Sequence, residues 1–179
     1  MSDTPWQKAE VAGTKRALPL TKPEVVLAML KRSKRPILVV GHKIVEIDLD
    51  GKKLIDFIID IAKAGEIPIV ATAHSVKEFL NREFQSVTSI PVMDVANRLT
   101  DPEWKGLDGK GTYDLAFFIG LPYYMEWLIL SGLKNFSGNL QTISLDGFYQ
   151  HNAIWSIPNI SSKELREFFE ALILKLGGQ

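Results

Sequence analysis

An α/β domain, three layers deep around a doubly wound and mostly parallel sheet, is what this sequence predicts. Three observations carry it. Short β-branched apolar runs recur at residues 36–40, 67–71, 114–119 and 140–145. Segments of helical period stand between them, bounded by Gly, Pro or Asp-Gly. The runs are apolar throughout instead of alternating with polar residues, as strands covered on both faces are. A chain of 179 residues, 46% apolar and 23% charged, suits one such domain. Its size lets it bury roughly 70% of its unfolded surface without a disulfide or structural metal.

The elements follow in order. Residues 1–20 show no clear period and contain Pro5, Gly13, Pro19 and the basic pair Lys15-Arg16, an extended arm ahead of a single domain over 21–179. Thr21-Lys22-Pro23-Glu24 has the pattern of a capping box with a tolerated early proline, and Val25, Val26, Leu27, Met29 and Leu30 continue it as a helix. Residues 36–41 read as a buried strand. Residues 53–64 form a helix apolar over most of its girth, with Gly65 as its stop. A strand at 67–71 and a helix at 75–82 come next. Residues 84–111 are harder to read and accommodate a strand near Val87, a helix at 91–99 and a polar loop. A strong strand at 114–120, a helix at 122–133 and a strand at 140–145 lead into an aromatic loop. The last helix opens with a second capping box, Ser161-Ser162-Lys163-Glu164, and carries Leu165, Phe168, Phe169, Leu172, Ile173 and Leu176 at helical spacing.

Composition excludes several classes of function. Lys+Arg and Asp+Glu are both 21, so the basic footprint of a general nucleic-acid binder is missing. With no cysteine, the chain has no catalytic thiol, no cysteine-held zinc and no thiolates for an iron–sulfur cluster. The start has no secretory pattern, which makes a cytoplasmic protein the expectation. Residues 115–133 approach the length of a membrane span, but Gly120-Leu121-Pro122 interrupts them and Glu126 would lie in hydrocarbon. A buried strand, a tight turn and a buried helix explain the run better.

In a doubly wound sheet the strands 36–40 and 114–119 lie side by side at the switch point, and ligands bind beyond their carboxyl ends. The candidate cofactor-binding crevice is therefore Gly41, His42, His74, Gly120, Leu121, Pro122 and Tyr123. The dinucleotide pattern G-x-G-x-x-G follows neither strand, so orthodox NAD binding is not expected, though a looser nucleotide site stays open. Asp48-Leu49-Asp50-Gly51 lacks the later EF-hand ligands and reads as a turn. His42, His74 and His151 each follow a strand and are expected on one rim. Either they converge on a metal or they are loop histidines with local hydrogen bonds, and the spacing favours the second. Tyr123, Tyr124, Trp127, Phe148, Tyr149 and Trp155 either pack the core or anchor a subunit contact. No catalytic site emerges from the residues.

Five segments together carry a family resemblance: Pro5-Trp6-Gln7 with Gly13-Thr14-Lys15-Arg16-Ala17; Lys34-Arg35-Pro36-Ile37-Leu38-Val39-Val40-Gly41; Ala71-Thr72-Ala73-His74-Ser75; Tyr113-Asp114-Leu115 with Gly120-Leu121-Pro122-Tyr123-Tyr124; and Ile143-Ser144-Leu145-Asp146. The chain resembles, over nearly its whole length, the epsilon subunits of the archaeal acetyl-CoA decarbonylase/synthase complex, part of its carbon monoxide dehydrogenase component. The resemblance implies a Rossmann-like fold similar to the flavin- and NAD-binding central domains of thiamine enzymes. It implies assembly as α2ε2 with a large nickel–iron–sulfur catalytic α subunit. Carbon monoxide oxidation would belong to that partner. The epsilon chain would be an accessory, stabilising subunit or else an FAD-binding mediator of electron transfer. The family supplies no catalytic residues to carry over.

Overall fold

The structure is a computed structural model that describes residues 16–178; the arm reading of residues 1–15 lies outside them. The sequence alternates short strands with helices, and each strand of the main sheet lies parallel to its neighbours. Strands β1 (Leu18–Pro19), β2 (Pro36–Val40), β5 (Ile69–Ala71), β6 (Val87–Ser89), β7 (Leu115–Ile119), β8 (Gln141–Ser144) and β9 (Trp155–Ser156) make one sheet in the order β1-β9-β8-β7-β2-β5-β6. Between β2 and β5, β3 (Asp48–Leu49) and β4 (Lys52–Lys53) form a small antiparallel hairpin. It turns through Asp50 and Gly51, both at positive φ, with the Gly51 N–H donating to the Asp48 carboxylate. The expected turn at 48–51 is thus the tip of a hairpin.

Side chains alternate across the pleat, so each strand feeds two cores. Leu38, Val40, Leu115, Phe117 and Ile119 meet one layer, formed by α1 (Pro23–Arg32), α2 (Leu54–Ala64), α3 (Ala73–Asn81) and α6 (Ser162–Gly177). Phe57 of α2 and Phe169 of α6 pack ring to ring at 5.9 Å. Ile37, Val39, Ala116 and Phe118 meet the other layer, formed by α4 (Val92–Thr100) and α5 (Tyr123–Phe136). Helices on both faces complete the three-layer, Rossmann-like α/β fold. The long apolar run becomes β7, a turn and α5, and among the described residues no helix is long and apolar enough to cross a membrane.

Several local expectations need correction. The first capping box does not form. The N-cap of α1 is Lys22, one residue later than Thr21, because Pro23 takes the N1 position where its missing N–H costs nothing. Glu24, the other half of that pattern, instead pairs with Lys175 of α6 at 3.0 Å. The second box is real: Ser161 caps the Glu164 N–H while the Glu164 carboxylate accepts from the Ser161 N–H. Gly65 does end α2, but the left-handed residue is the next one, Glu66 (φ 51°). Strand β1, at one edge of the sheet, and β9, between β1 and β8, carry no strand signature in the sequence because each is only two residues long.

Candidate functional site

The strand order reverses between β2 and β7, whose register runs from Pro36 beside Leu115 to Val40 beside Ile119. Beyond that last pair the backbones converge further. The Gly41 N–H donates to the Ile119 carbonyl (2.9 Å), and the Lys43 N–H to the Gly120 carbonyl (3.0 Å). A Cβ on Gly41 would stand 2.1 Å from the Gly120 carbonyl oxygen, closer than any side chain permits. Gly120 itself has φ +71°, and a Cβ there would meet Ile44 at 2.4 Å. Both glycines are therefore explained by one backbone crossing. Their N–H groups are committed as well, Gly120 donating to both Asp146 carboxylate oxygens at 3.0 and 3.1 Å.

This bears on a dinucleotide. A pyrophosphate cradle needs free backbone N–H groups at the start of a long helix. Here β2 runs into a single 3-10 turn, His42–Val45. The helix after β7 starts with Pro122 as its N-cap and has Glu126 buried in its first turn. The N–H groups of Gly41 and Gly120 are therefore not available to a pyrophosphate.

Leu121, almost fully buried, splits the rim into two hollows and lines both, as Glu46 does. One, of about 750 Å3, brings together His42, His74, Pro122, Tyr124 and Met125. The other, of about 630 Å3, is lined by Lys43, Tyr123, Asp146, Phe148, Gln150 and Leu165, among others. Of the candidate crevice residues, His42, His74, Leu121 and Pro122 thus meet in the first hollow. Tyr123 joins Leu121 in the second, and Gly41 and Gly120 form the bridge. The expectation of three histidines on one rim is corrected: His151 is buried with its ring edge-on to Trp127 of α5 and its carbonyl accepting from Ala17, and it lines neither hollow. The loop after β8 carries it away as the chain turns back to start β9. Among the described residues, no group of three His, Asp or Glu could hold a metal ion. The aromatics divide, with Tyr149 in the core and Tyr124 and Phe148 exposed.

The feature that sequence reasoning missed is a carboxyl pair. Glu126, wholly buried in α5, stands beside Asp146 at the end of β8. Neither Glu126 oxygen has a hydrogen-bonding partner of ordinary geometry, and its polar neighbours are the Asp146 carboxyl and the Ser144 hydroxyl. Burial, and then the Asp146 charge, push Glu126 well above the usual carboxylate range. Burial also raises Asp146, opposed by the Glu126 hydrogen bond, the Gly120 N–H and the Lys43 charge. The two carboxyls stand close enough for each to bias the other's ionisation. The available signal was a lone acid on the same helical stripe as Ile129, Leu130 and Leu133, facing the layer the strand ends point toward.

The family described as CO dehydrogenase beta subunit/acetyl-CoA synthase epsilon subunit matches residues 1–173. The acetyl-CoA decarbonylase/synthase complex subunit epsilon of Methanothrix soehngenii is 38% identical over 88% of this chain and 81% of its own length. That of Methanothermobacter thermautotrophicus is 31% identical over 94% and 93%, and subunit epsilon 1 of Archaeoglobus fulgidus is 40% identical over 85% and 79%. A match across nearly the whole chain, by a family and by relatives above 30% identity, means that this chain belongs to the CO dehydrogenase beta subunit/acetyl-CoA synthase epsilon subunit family.

Proposed function

We propose that the chain is a non-catalytic accessory subunit that stabilises the large nickel–iron–sulfur α subunit of a carbon monoxide dehydrogenase in an α2ε2 assembly within the cytoplasm. One observation carries the reading beyond family membership. On the rim, Tyr124 and Leu128 lie one turn apart on α5 and are 66% and 56% exposed, with Met93 of the adjoining α4 at 49%. Large side chains left in water beside an apolar hollow are the anchors that subunit contacts use. A chain without cysteine cannot hold the clusters such a complex needs, so redox chemistry falls to its partner. Co-expression with the large subunit tests this. The two chains should co-elute, and the pair Tyr124→Lys with Leu128→Glu should abolish co-elution while leaving the melting curve of the isolated chain unchanged. Separate elution of the unaltered chains at micromolar concentration ends the proposal.

A flavin-binding electron mediator is the second role the family resemblance implies. Its support is the histidine-lined hollow at the switch point, whose volume suits a planar ring. The committed N–H groups of Gly41 and Gly120 count against it. Titration of FAD into the chain, alone and with its partner, should leave the flavin fluorescence unchanged if the accessory role is complete.

A further inference from the structure

Opposite the rim, the amino ends of β2 and β7 carry a segment held by few contacts. After Asp101 caps the end of α4, residues 102–112 form no helix or strand before β7 begins. Apart from bonds within the segment and to Asp101 at its root, two polar contacts hold it among the described residues. The Arg35 guanidinium, just ahead of β2 in the folded chain, donates from its two terminal nitrogens to both oxygens of Asp108. The Leu107 N–H donates to the Tyr113 hydroxyl at 3.2 Å. The segment winds closely around the guanidinium: a Cβ on Gly106 would stand 2.9 Å from Arg35 Nη2 and 2.6 Å from the Gly111 carbonyl oxygen. Arg35 lies 5.1 Å over the Tyr113 ring, and Trp104 packs on that ring at 5.5 Å.

These attachments are weak ones. The Arg35 and Asp108 side chains are 23% and 43% exposed, and an ion pair so open to water stabilises little. Arg35, helped by the Lys110 N–H, holds the Asp108 carboxyl down at about 2, so the pair stays charged near neutral pH and salt is what weakens it. Against the pair stands Arg35 Nε, which is buried without an acceptor while the segment is shut, a cost that opening to water removes. The apolar share is two half-buried side chains, Trp104 and Leu107, on the second core. Segments with few buried apolar contacts and few hydrogen bonds open well below the free energy of global unfolding. We propose that residues 102–112 are a strap that opens as a unit while the sheet stays folded, with the Arg35–Asp108 fork as its latch. Opening bares the guanidinium and the Tyr113 ring, which is buried when the strap is shut. The strap lies away from the rim, so it does not depend on the accessory-subunit reading.

The experiment is amide hydrogen exchange on the full chain, read residue by residue by NMR. Leu107 and Gly111 report on the strap, because both N–H groups are hydrogen-bonded when it is shut. Corrected for intrinsic rates, they should exchange at least about a hundredfold faster than the amides of β2 and β7. Asp108→Ala should speed those two amides about fivefold and leave the β2 and β7 amides and the urea midpoint unchanged. Salt gives a second measurement that needs no variant: about 1 M NaCl should speed the same two amides in the unaltered chain, and should not in Asp108→Ala. Strap amides as slow as those of β2 and β7 overturn the proposal. So does a strap that ignores both salt and Asp108→Ala, or an Asp108→Ala variant in which strap and sheet speed up together.

Discussion

The two ends of β7 handle buried carboxyl groups in opposite ways. At the amino end, Asp114 accepts from the Ser33 hydroxyl and from the backbone N–H groups of Lys34 (2.8 Å) and Arg35 (3.0 Å). Partial burial pushes this carboxyl up, but the three donors outweigh it and hold Asp114 below the usual range. At the carboxyl end, Glu126 and Asp146 have one backbone donor between them and are both raised. One end ties the turn between α1 and β2 to β7 with a satisfied charge. The other leaves two carboxyls with one backbone donor between them, Asp146 on the lining of a hollow. The difference teaches that the cost of burying a carboxyl is set by its donors: one saturated by its own chain is held ionised, whereas one starved of donors is pushed toward its neutral form.

The harshest way to break the comparison is to disturb the backbone crossing that creates the carboxyl end. Gly41→Ala drives a methyl into the Gly120 carbonyl, which is backbone and cannot move aside cheaply. We expect a loss of about 3 kcal/mol in urea unfolding, and a variant of near-native stability would show that the crossing is looser than described. Next, Asp114→Asn should cost about 2 kcal/mol, the worth of hydrogen bonds to a charged acceptor. Because the folded pKa of Asp114 is lowered, its contribution is present above the ordinary value near ~3.9 and disappears as pH falls through the folded one. The gap between wild type and Asp114→Asn should therefore close in acid.

Glu126→Gln should behave with the opposite slope. The raised folded pKa of Glu126 makes its neutral form part of the native state, so its contribution is complete below the ordinary value of ~4.3 and is lost as pH rises. A glutamine does not titrate and still donates to Asp146. The variant should match wild type near pH 4 and exceed it by a margin that widens by up to ~1.4 kcal/mol per pH unit toward pH 9, until the folded pKa is passed. Thermal melts across that interval would expose a parallel pair of curves if the carboxyl pair is not as described. The smallest effect separates two serines. Ser33→Ala loses a bond to Asp114 and should cost about 1 kcal/mol, while Ser144→Ala removes a buried hydroxyl without a partner and should stay within about 0.5 kcal/mol. A larger loss at Ser144 would mean that both ends are equally satisfied.

The fold was legible because its signals are local. Continuous apolar runs such as Leu115 to Ile119, helical stripes such as Leu165, Phe168, Phe169 and Leu172, and the Ser161 cap each depend on residues a few positions apart. The glycines at 41 and 120 could be placed on the rim by the doubly wound rule, yet their reason could not: each is required by the close approach of the other, across 79 positions of chain. The two-residue strands β1 and β9 hold their conformation only through neighbours in the sheet. His151 left the rim for the same reason, since the path of its loop is set by where β9 must begin.

By itself, then, the sequence determined the α/β class, the strand pair at the switch point, the want of thiolates and the family, all of which rest on short-range pattern or on simple presence. Only the tertiary structure decided that Leu121 divides the rim, that the glycines are consumed by each other, and that Glu126, Ser144 and Asp146 are brought together. Those three residues come from a helix, a strand and the turn after it, and whether a polar atom is satisfied depends on every neighbour in space, which no spacing along the chain records.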